Sequence, residues 1–236
     1  MARLRLLSID LDGTLVDSAG EITEAVQRML VELGLARRQA AEIIGLVGHG
    51  TRALVERLFE RLRAERALGD ALPDIEVAHA CFDRHYAQLA GRTAQPYPGC
   101  VAALERLQAA GIVLACVTNK EQRHAERVLA GTGLARWFTT LIAGDTLPWK
   151  KPDARVIGAL LARHGVAAAE CAHVGDSAID VEAARAAGVA AWALPEGYNG
   201  GRPIEAARPD RLFADLAALA AHVCETRIET STQGRR

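Results

Sequence analysis

Aromatic residues are scarce: Phe, Trp and Tyr together make up 4% of the 236 residues. That is too few to build a stacking platform for single-stranded nucleic acid. A basic excess is also missing, since the formal net charge is −1 and a nucleic-acid surface carries a positive surplus. No apolar run approaches the roughly 18 residues that span a bilayer. Carboxylates at positions 10 and 12 arrive too early for the apolar region of a secretory signal. The five cysteines (Cys81, Cys100, Cys116, Cys171, Cys224) are odd in number, scattered and without a CxxC pair. A disulfide framework and a thiolate metal site are therefore not expected; reduced thiols in a cytoplasmic protein are. These absences predict no nucleic-acid partner and no membrane partner.

What is present is ordinary globular composition, half apolar and 24% charged, in a chain long enough for one large or two small domains. Residues 5–10 read as a short apolar strand, and residues 21–34 as an amphipathic helix closed by a glycine. Helical patterning continues to about residue 94, with breaks at 48–50 and 68–74. Gln95-Pro96-Tyr97-Pro98-Gly99 reads as a hinge. Thereafter strands (111–118, 141–143, 171–174, 189–194) alternate with helices (101–110, 121–129, 153–164, 179–187, 212–223). The continuous apolar run at 111–118 is typical of a strand buried on both faces. The pattern predicts an α/β fold: a Rossmann-like parallel sheet core with helices on both faces. More than a hundred residues separate the first strand from the second, where a βαβ crossover needs about 30. The surplus predicts an inserted helical cap. The expected division is a core of residues 1–17 and 95–225, a cap of 18–94, and a disordered polar tail of 226–236.

Chemistry concentrates where strands end. Asp10 and Asp12 flank one apolar residue at the end of a buried run. Asp is poor in strands, and at an effective dielectric of 20 like charges about 4 Å apart repel by roughly 4 kcal/mol. Something positive should sit between them. Three further polar clusters fall at, or just past, strand ends: Thr118-Asn119, Lys150-Lys151-Pro152-Asp153 and Gly175-Asp176-Ser177-x-x-Asp180. Ligands of open α/β sheets bind along that edge. Taken singly, Thr118-x-x-Glu121 and Ser177-x-x-Asp180 also fit a helix capping box, and Lys151-Pro152 fits a helix start. Their order along one sheet edge makes the chemical reading the better one.

These four motifs, in this order and with a helical insertion after the first, resemble the haloacid dehalogenase superfamily of phosphohydrolases over nearly the whole chain. Within it the chain is most similar to the bacterial phosphoglycolate phosphatases, on three stretches: residues 144–152, Gly48-His49-Gly50, and 197–203. The resemblance implies a phosphomonoesterase, with 2-phosphoglycolate as the small phosphorylated substrate. It implies Asp10 as nucleophile, becoming an aspartyl phosphate, and Asp12 as general acid, then base. Mg²⁺ is expected on Asp10, the Asp12 backbone carbonyl and Asp176, with Asp180 and Ser177 behind them. Thr118, Asn119 and Lys151 are expected on the phosphoryl oxygens. Gly48, His49, Gly50 and Arg52 would face the substrate carboxylate from the cap, although they equally fit a solvated turn between helices.

Asp12 favours phosphate chemistry over dehalogenation, which has no need of an acid there. Phosphonatase chemistry would need a cap lysine, and residues 18–94 contain none. A sugar-phosphate phosphatase, for example one acting on N-acetylmuramic acid phosphate, and a β-phosphoglucomutase-like mutase share the motifs. A non-catalytic scaffold on this fold would be expected to have lost some of Asp10, Asp12, Lys151 or Asp176. A monomer or a homodimer is equally compatible with the sequence, and the role of residues 197–203 stays open at this level.

Overall fold

A strand buried on both faces needs apolar side chains at successive positions, and the centre of this sheet is built that way. In the computed structural model, which describes residues 3–65 and 72–233, the chain forms β1 (Leu6–Ile9) and the short β2 (Val16–Asp17). Four helices follow: α1 (Ala19–Glu32), α2 (Ala40–Ile44), α3 (Thr51–Glu65) and α4 (Ile75–Leu89). The chain returns through β3 (Gln95–Pro96) into α5 (Cys100–Ala109), β4 (Val113–Val117), α6 (Gln122–Gly131) and β5 (Thr140–Ile142). It ends with α7 (Ala154–His164), β6 (Cys171–Gly175), α8 (Ala178–Ala186), β7 (Ala190–Ala193), β8 (Arg211–Leu212) and α9 (Leu216–Gln233).

Six of these strands form one parallel sheet in the order β5-β4-β1-β6-β7-β8. Side-chain alternation sorts the sheet onto two cores. Leu7, Ile9, Leu114 and Val174 join α5, α6 and α9 on one face. Leu6, Val117, Cys171 and Ala191 join α7 and α8 on the other. The expected α/β sheet with helices on both faces is what forms. From β1 the chain first fills one side with β4 and β5, then crosses to β6, β7 and β8 on the other. The crevice above β1 is thus the topological switch point where ligands of such sheets bind.

Helices α1–α4 pack on one another through Val26, Met29, Leu30, Leu58, Phe59 and Phe82, all buried. The chain leaves the sheet and comes back through one antiparallel ribbon, Val16↔Pro96 and Asp17↔Gln95. These strands have two residues each, too short to leave a period in the sequence. One expectation at the carboxyl end is corrected. Leu212, expected as a helix start, lies with Arg211 in the edge strand β8. Asp210 fixes that edge by donating its N–H to the Ala191 carbonyl (2.7 Å) and accepting from Ala191 N–H (2.8 Å). The helix begins only at Leu216 and runs to Gln233. The break expected at 68–70 lies outside the described residues. Among the described residues no helix is long and apolar enough to cross a membrane.

One acidic side chain ties the helical insertion to its own exit. Glu21, 2% exposed in the first turn of α1, accepts from the backbone N–H groups of Gly91 (2.9 Å), Thr93 (2.5 Å) and Ala94 (2.9 Å). Glu21→Ala would leave three backbone donors, one of them buried at Ala94, without their acceptor, at about 1–3 kcal/mol each when water cannot replace it. The expected loss of folding stability is about 3 kcal/mol in urea denaturation; a loss below about 1 kcal/mol would show that water serves those N–H groups equally well.

Candidate active site

The ends of β1, β4 and β6 stand side by side, so the residues that follow each strand converge. Asp10 continues β1 by donating its N–H to the Val174 carbonyl at 3.0 Å. A tight turn follows, in which the Leu11 carbonyl accepts from Leu15 and Val16. Thr118, Asn119 and Lys120 follow β4, and Asp176 and Ser177 follow β6; all five are buried. The sequence motifs at Asp10, Asp12, Thr118, Asn119, Lys151, Asp176, Ser177 and Asp180 are therefore brought together.

Lys151 is the hub. Its ammonium, 2% exposed, lies 2.8 Å from Asp10 Oδ1 and 2.6 Å from Asp180 Oδ1. Asp180 is held from every side: Ser177 Oγ donates to Oδ2 at 2.6 Å, and His173 Nε2 donates to Oδ1 at 3.1 Å. Ser8 Oγ lies 2.8 Å from His173 Nδ1 behind it. Burial alone would raise the Asp180 carboxyl, but Lys151 and the His173 hydrogen bond outweigh it and hold the group well below the usual carboxylate range. Asp180 also closes the capping box with Ser177 at the start of α8, so the capping reading of that motif is realised alongside the ion pair with Lys151.

Among the described residues Asp176 has no cation of its own. Thr14 Oγ1 donates to Oδ1 at 2.7 Å and Tyr198 N–H to Oδ2 at 2.6 Å. Glycines at positive φ, Gly13 (+86°) and Gly197 (+115°), press against it so closely that a Cβ on either would come within 2.5 Å of its Oδ2. Burial, then repulsion from Asp180 and Asp10, pushes the Asp176 carboxyl well above its ordinary value. Burial likewise raises Asp10, to about 6, against the pull of Lys151. Oxygens of Asp10, Asp176 and Asp180 lie within 4.8 Å of one another.

Asp12 lies in a second network. Ser18 Oγ donates to its Oδ1 at 2.5 Å, and the Lys120 ammonium lies 2.8 Å from Oδ2. Lys120 was passed over in the sequence reading, which stopped at Asn119. A signal was present: the chain has three lysines among its twenty-eight Lys and Arg residues, at 120, 150 and 151. The open question of residues 197–203 is also answered. Besides gripping Asp176, Tyr198 donates its hydroxyl to Asp17 Oδ1 (2.6 Å) and accepts from the N–H groups of Ser18 and Ala19 (2.9 Å each). Asn199 Oδ1 accepts from Ala178 N–H at the head of α8 (3.0 Å).

Asp10, Asp12, Thr118, Asn119 and Lys120 floor a cavity roofed by Gly48, Gly50, Leu54 and Phe82. The roof loop is docked. Asn119 Nδ2 donates to the Gly48 carbonyl (3.0 Å) and Lys150 Nζ to the His49 carbonyl (2.9 Å). Glu121 Oε1 accepts from Thr51 N–H (3.2 Å) and Thr51 Oγ1 (2.7 Å). Glu121 is itself the N-cap of α6, so the Thr118-x-x-Glu121 capping box does not form. Gly50, at φ +89°, passes so near Asn119 that a Cβ would come 2.8 Å from its carbonyl oxygen. Arg52, expected to face the substrate from this loop, turns away. Its guanidinium is bound to Glu56 (2.9 Å) and forked onto Glu76 at the surface, 46% exposed. Two carboxylates one helix turn and one helix away hold it there, and neither Arg52 nor the His49 side chain lines the cavity.

Comparison with known proteins places this geometry. A sequence model described as haloacid dehalogenase-like hydrolase matches residues 9–194. The chain is 40% identical over 220 residues to a phosphoglycolate phosphatase of Cupriavidus necator, covering 93% of each chain. It is 36% identical to one from Thiobacillus denitrificans, covering 92% of this chain and 94% of the relative. It superposes with a TM-score of 0.86 and 30% identity on a crystal structure described as a predicted phosphoglycolate phosphatase from Haemophilus somnus, covering 93% and 97% of the two chains.

Lys151→Met would leave Asp10 and Asp180 facing each other in a buried site. Removing one partner of a buried charge network costs about 3–5 kcal/mol, and that loss is expected in urea denaturation at neutral pH. A loss under about 1 kcal/mol would mean that the ammonium contributes nothing net to folding.

Proposed function

This chain belongs to the haloacid dehalogenase-like hydrolases, and from that premise we propose that it hydrolyses 2-phosphoglycolate to glycolate and phosphate, through an aspartyl phosphate on Asp10 and with Mg²⁺ as cofactor. The observation that carries this reading is a charge imbalance. Four buried or nearly buried carboxylates (Asp10, Asp12, Asp176, Asp180) face two ammonium groups (Lys120, Lys151) at one end of the sheet. Two negative charges are left over, and burial first, with repulsion among the carboxylates added, raises Asp10 and Asp176. A hard divalent cation with oxygen ligands matches that deficit. Asp180 is already taken by Lys151, His173 and Ser177, so Asp10, Asp176 and the Asp12 carbonyl are the groups that would hold the ion. Bound there, it would supply positive charge for the phosphoryl oxygens as they leave one oxygen and join another.

The chain's own groups supply the rest. In the first displacement an Asp10 carboxylate oxygen bonds to phosphorus, the bond from phosphorus to the ester oxygen breaks, and Asp12 gives that oxygen its proton. In the second, Asp12 takes a proton from water, the water oxygen bonds to phosphorus, and the acyl phosphate bond breaks. Asp10 is regenerated and inorganic phosphate leaves. Two displacements replace one difficult hydrolysis. The Thr118 hydroxyl, the Asn119 backbone and the Lys151 ammonium are read as cradle for the phosphoryl oxygens, so that positioning and charge neutralisation carry most of the rate. Helices α1–α4 are read as the cap, with the loop at 48–50 keeping bulk water out during both displacements.

The choice of 2-phosphoglycolate rests on the small roofed cavity and on the names of the relatives at 36–40% identity over most of the chain. The test is hydrolysis of 2-phosphoglycolate beside a panel of sugar phosphates. Turnover is expected to vanish with EDTA and return with Mg²⁺. Asp10→Asn is expected to lose at least roughly 1,000-fold in kcat while keeping its fold. Residual turnover near one tenth of the original would rule out the covalent route, and a sugar phosphate hydrolysed with higher kcat/KM would replace the substrate.

A further inference from the structure

Lysine is the rare cation of this chain, three residues among twenty-eight Lys and Arg, and all three meet the site. Lys151 bridges Asp10 and Asp180, and Lys150 pins the roof loop. Where guanidinium serves nearly everywhere else, a retained ammonium marks a place that needs a compact, freely rotating donor. The proposed hydrolysis leaves the third, Lys120, without a task.

Lys120 is 4% exposed. Its ammonium lies 2.8 Å from Asp12 Oδ2, donates to the Tyr86 hydroxyl on α4 at 2.6 Å, and stands 4.7 Å from the centre of the Tyr86 ring. Two of its three donors are thereby engaged. Among the described residues lining the cavity it is the one cation, and beyond it the walls are mainly apolar, Ile22, Val47, Leu54 and Phe82, with Thr51 already bound to Glu121. Arg52, the expected partner for a substrate carboxylate, is bound at the surface to Glu56 and Glu76.

We propose that Lys120 is the carboxylate anchor of the site, and that it selects small phosphomonoesters bearing a carboxylate on the carbon next to the ester oxygen. This rests on the phosphatase reading given above, in which Asp12 hydrogen-bonds the ester oxygen at about 2.5–3.0 Å. In such a substrate the carboxylate carbon is two bonds from that oxygen, each roughly 1.5 Å. Lys120 Nζ is one hydrogen bond from Asp12 on the same side of the cavity. Ester oxygen, Asp12, ammonium and substrate carboxylate then close into one ring, using the third N–H donor. A hydroxyl in place of the carboxylate gives the ammonium no charge to meet, and a carboxylate farther along the chain falls among the apolar walls.

The test compares kcat/KM for 2-phosphoglycolate with that for 2-hydroxyethyl phosphate, which carries CH₂OH in place of the carboxylate. The unaltered full-length enzyme is expected to prefer 2-phosphoglycolate by roughly 100-fold or more, and Lys120→Met to lower that ratio by at least about 30-fold, the low end for truncating one partner of a buried charge pair. Any harm done to Asp12 by the substitution falls on both substrates and cancels in the ratio. Tyr86→Phe keeps the ring and removes one hold on the ammonium; it is expected to lower the ratio severalfold, and it decides alone should Lys120→Met not fold. A high ratio that survives the substitutions overturns the anchor and leaves the phosphatase reading standing. A ratio near one in the unaltered enzyme overturns 2-phosphoglycolate as substrate, and the anchor falls with it.

Discussion

Surplus negative charge, buried where three adjacent strands end, is the constraint from which the arrangement of this site follows. At an effective dielectric of 20, two carboxylates about 4 Å apart repel by roughly 4 kcal/mol, and here several are packed into such a space. The fold answers locally in two ways. Asp180 receives an ammonium, a histidine and a hydroxyl, and becomes a fixed anion. Among the described residues Asp176 receives only neutral donors, from Thr14 and Tyr198. In the proposed mechanism that asymmetry separates a carboxylate that positions from one that is left to bind. Backbone crowds Asp176 at Gly13 and Gly197, and a side chain there would displace it.

The same loops that hold the chemistry also hold the roof. Asn119 and Lys150, which bind the carbonyls of Gly48 and His49, are the immediate neighbours of Thr118 and Lys151. Glu121 reaches the head of α3 through Thr51. The roof is thus joined to the phosphoryl cradle of the proposed mechanism through one peptide unit on each side. At the far end, Glu21 grips the returning chain and Tyr198 grips the head of α1. The insertion is thus tethered at its root by polar contacts within the ribbon region and at its tip by contacts to the strand ends, and the space between them is the cavity.

Much of this was legible in the residues. The alternation of apolar strands with amphipathic helices after residue 99 gave the parallel sheet, because strands buried on both faces leave continuous apolar runs such as 111–118. Asp10 and Asp12 stood out because carboxylates after such a run demand compensation. What stayed hidden has physical causes. β2, β3 and β8 are two residues long, and a period of two cannot show in two residues. Arg52 was assigned from its place beside the Gly48-His49-Gly50 loop and from its two-bond geometry toward a carboxylate, and only the fold reveals Glu56 and Glu76 competing for it. Tyr198 acts through its backbone N–H as well as its hydroxyl, and a backbone donor has no sequence signature.

Lys120 is a different case, since its signal lay in the composition rather than in any motif. A guanidinium is planar and broad, and it binds best where a carboxylate can be met by two parallel bonds. Between Asp12 Oδ2 at 2.8 Å and the Tyr86 hydroxyl at 2.6 Å the available shape is instead that of a small tetrahedral donor. That one nitrogen joins a carboxylate from the end of β1 to a phenol from α4, so it belongs at once to the sheet and to the helices above it. An anion bound to its third donor would draw on the same ammonium that holds those two groups. Occupancy of the cavity, placement of Asp12 and seating of α4 over the strand ends would then be coupled through a single atom, without any longer path between them.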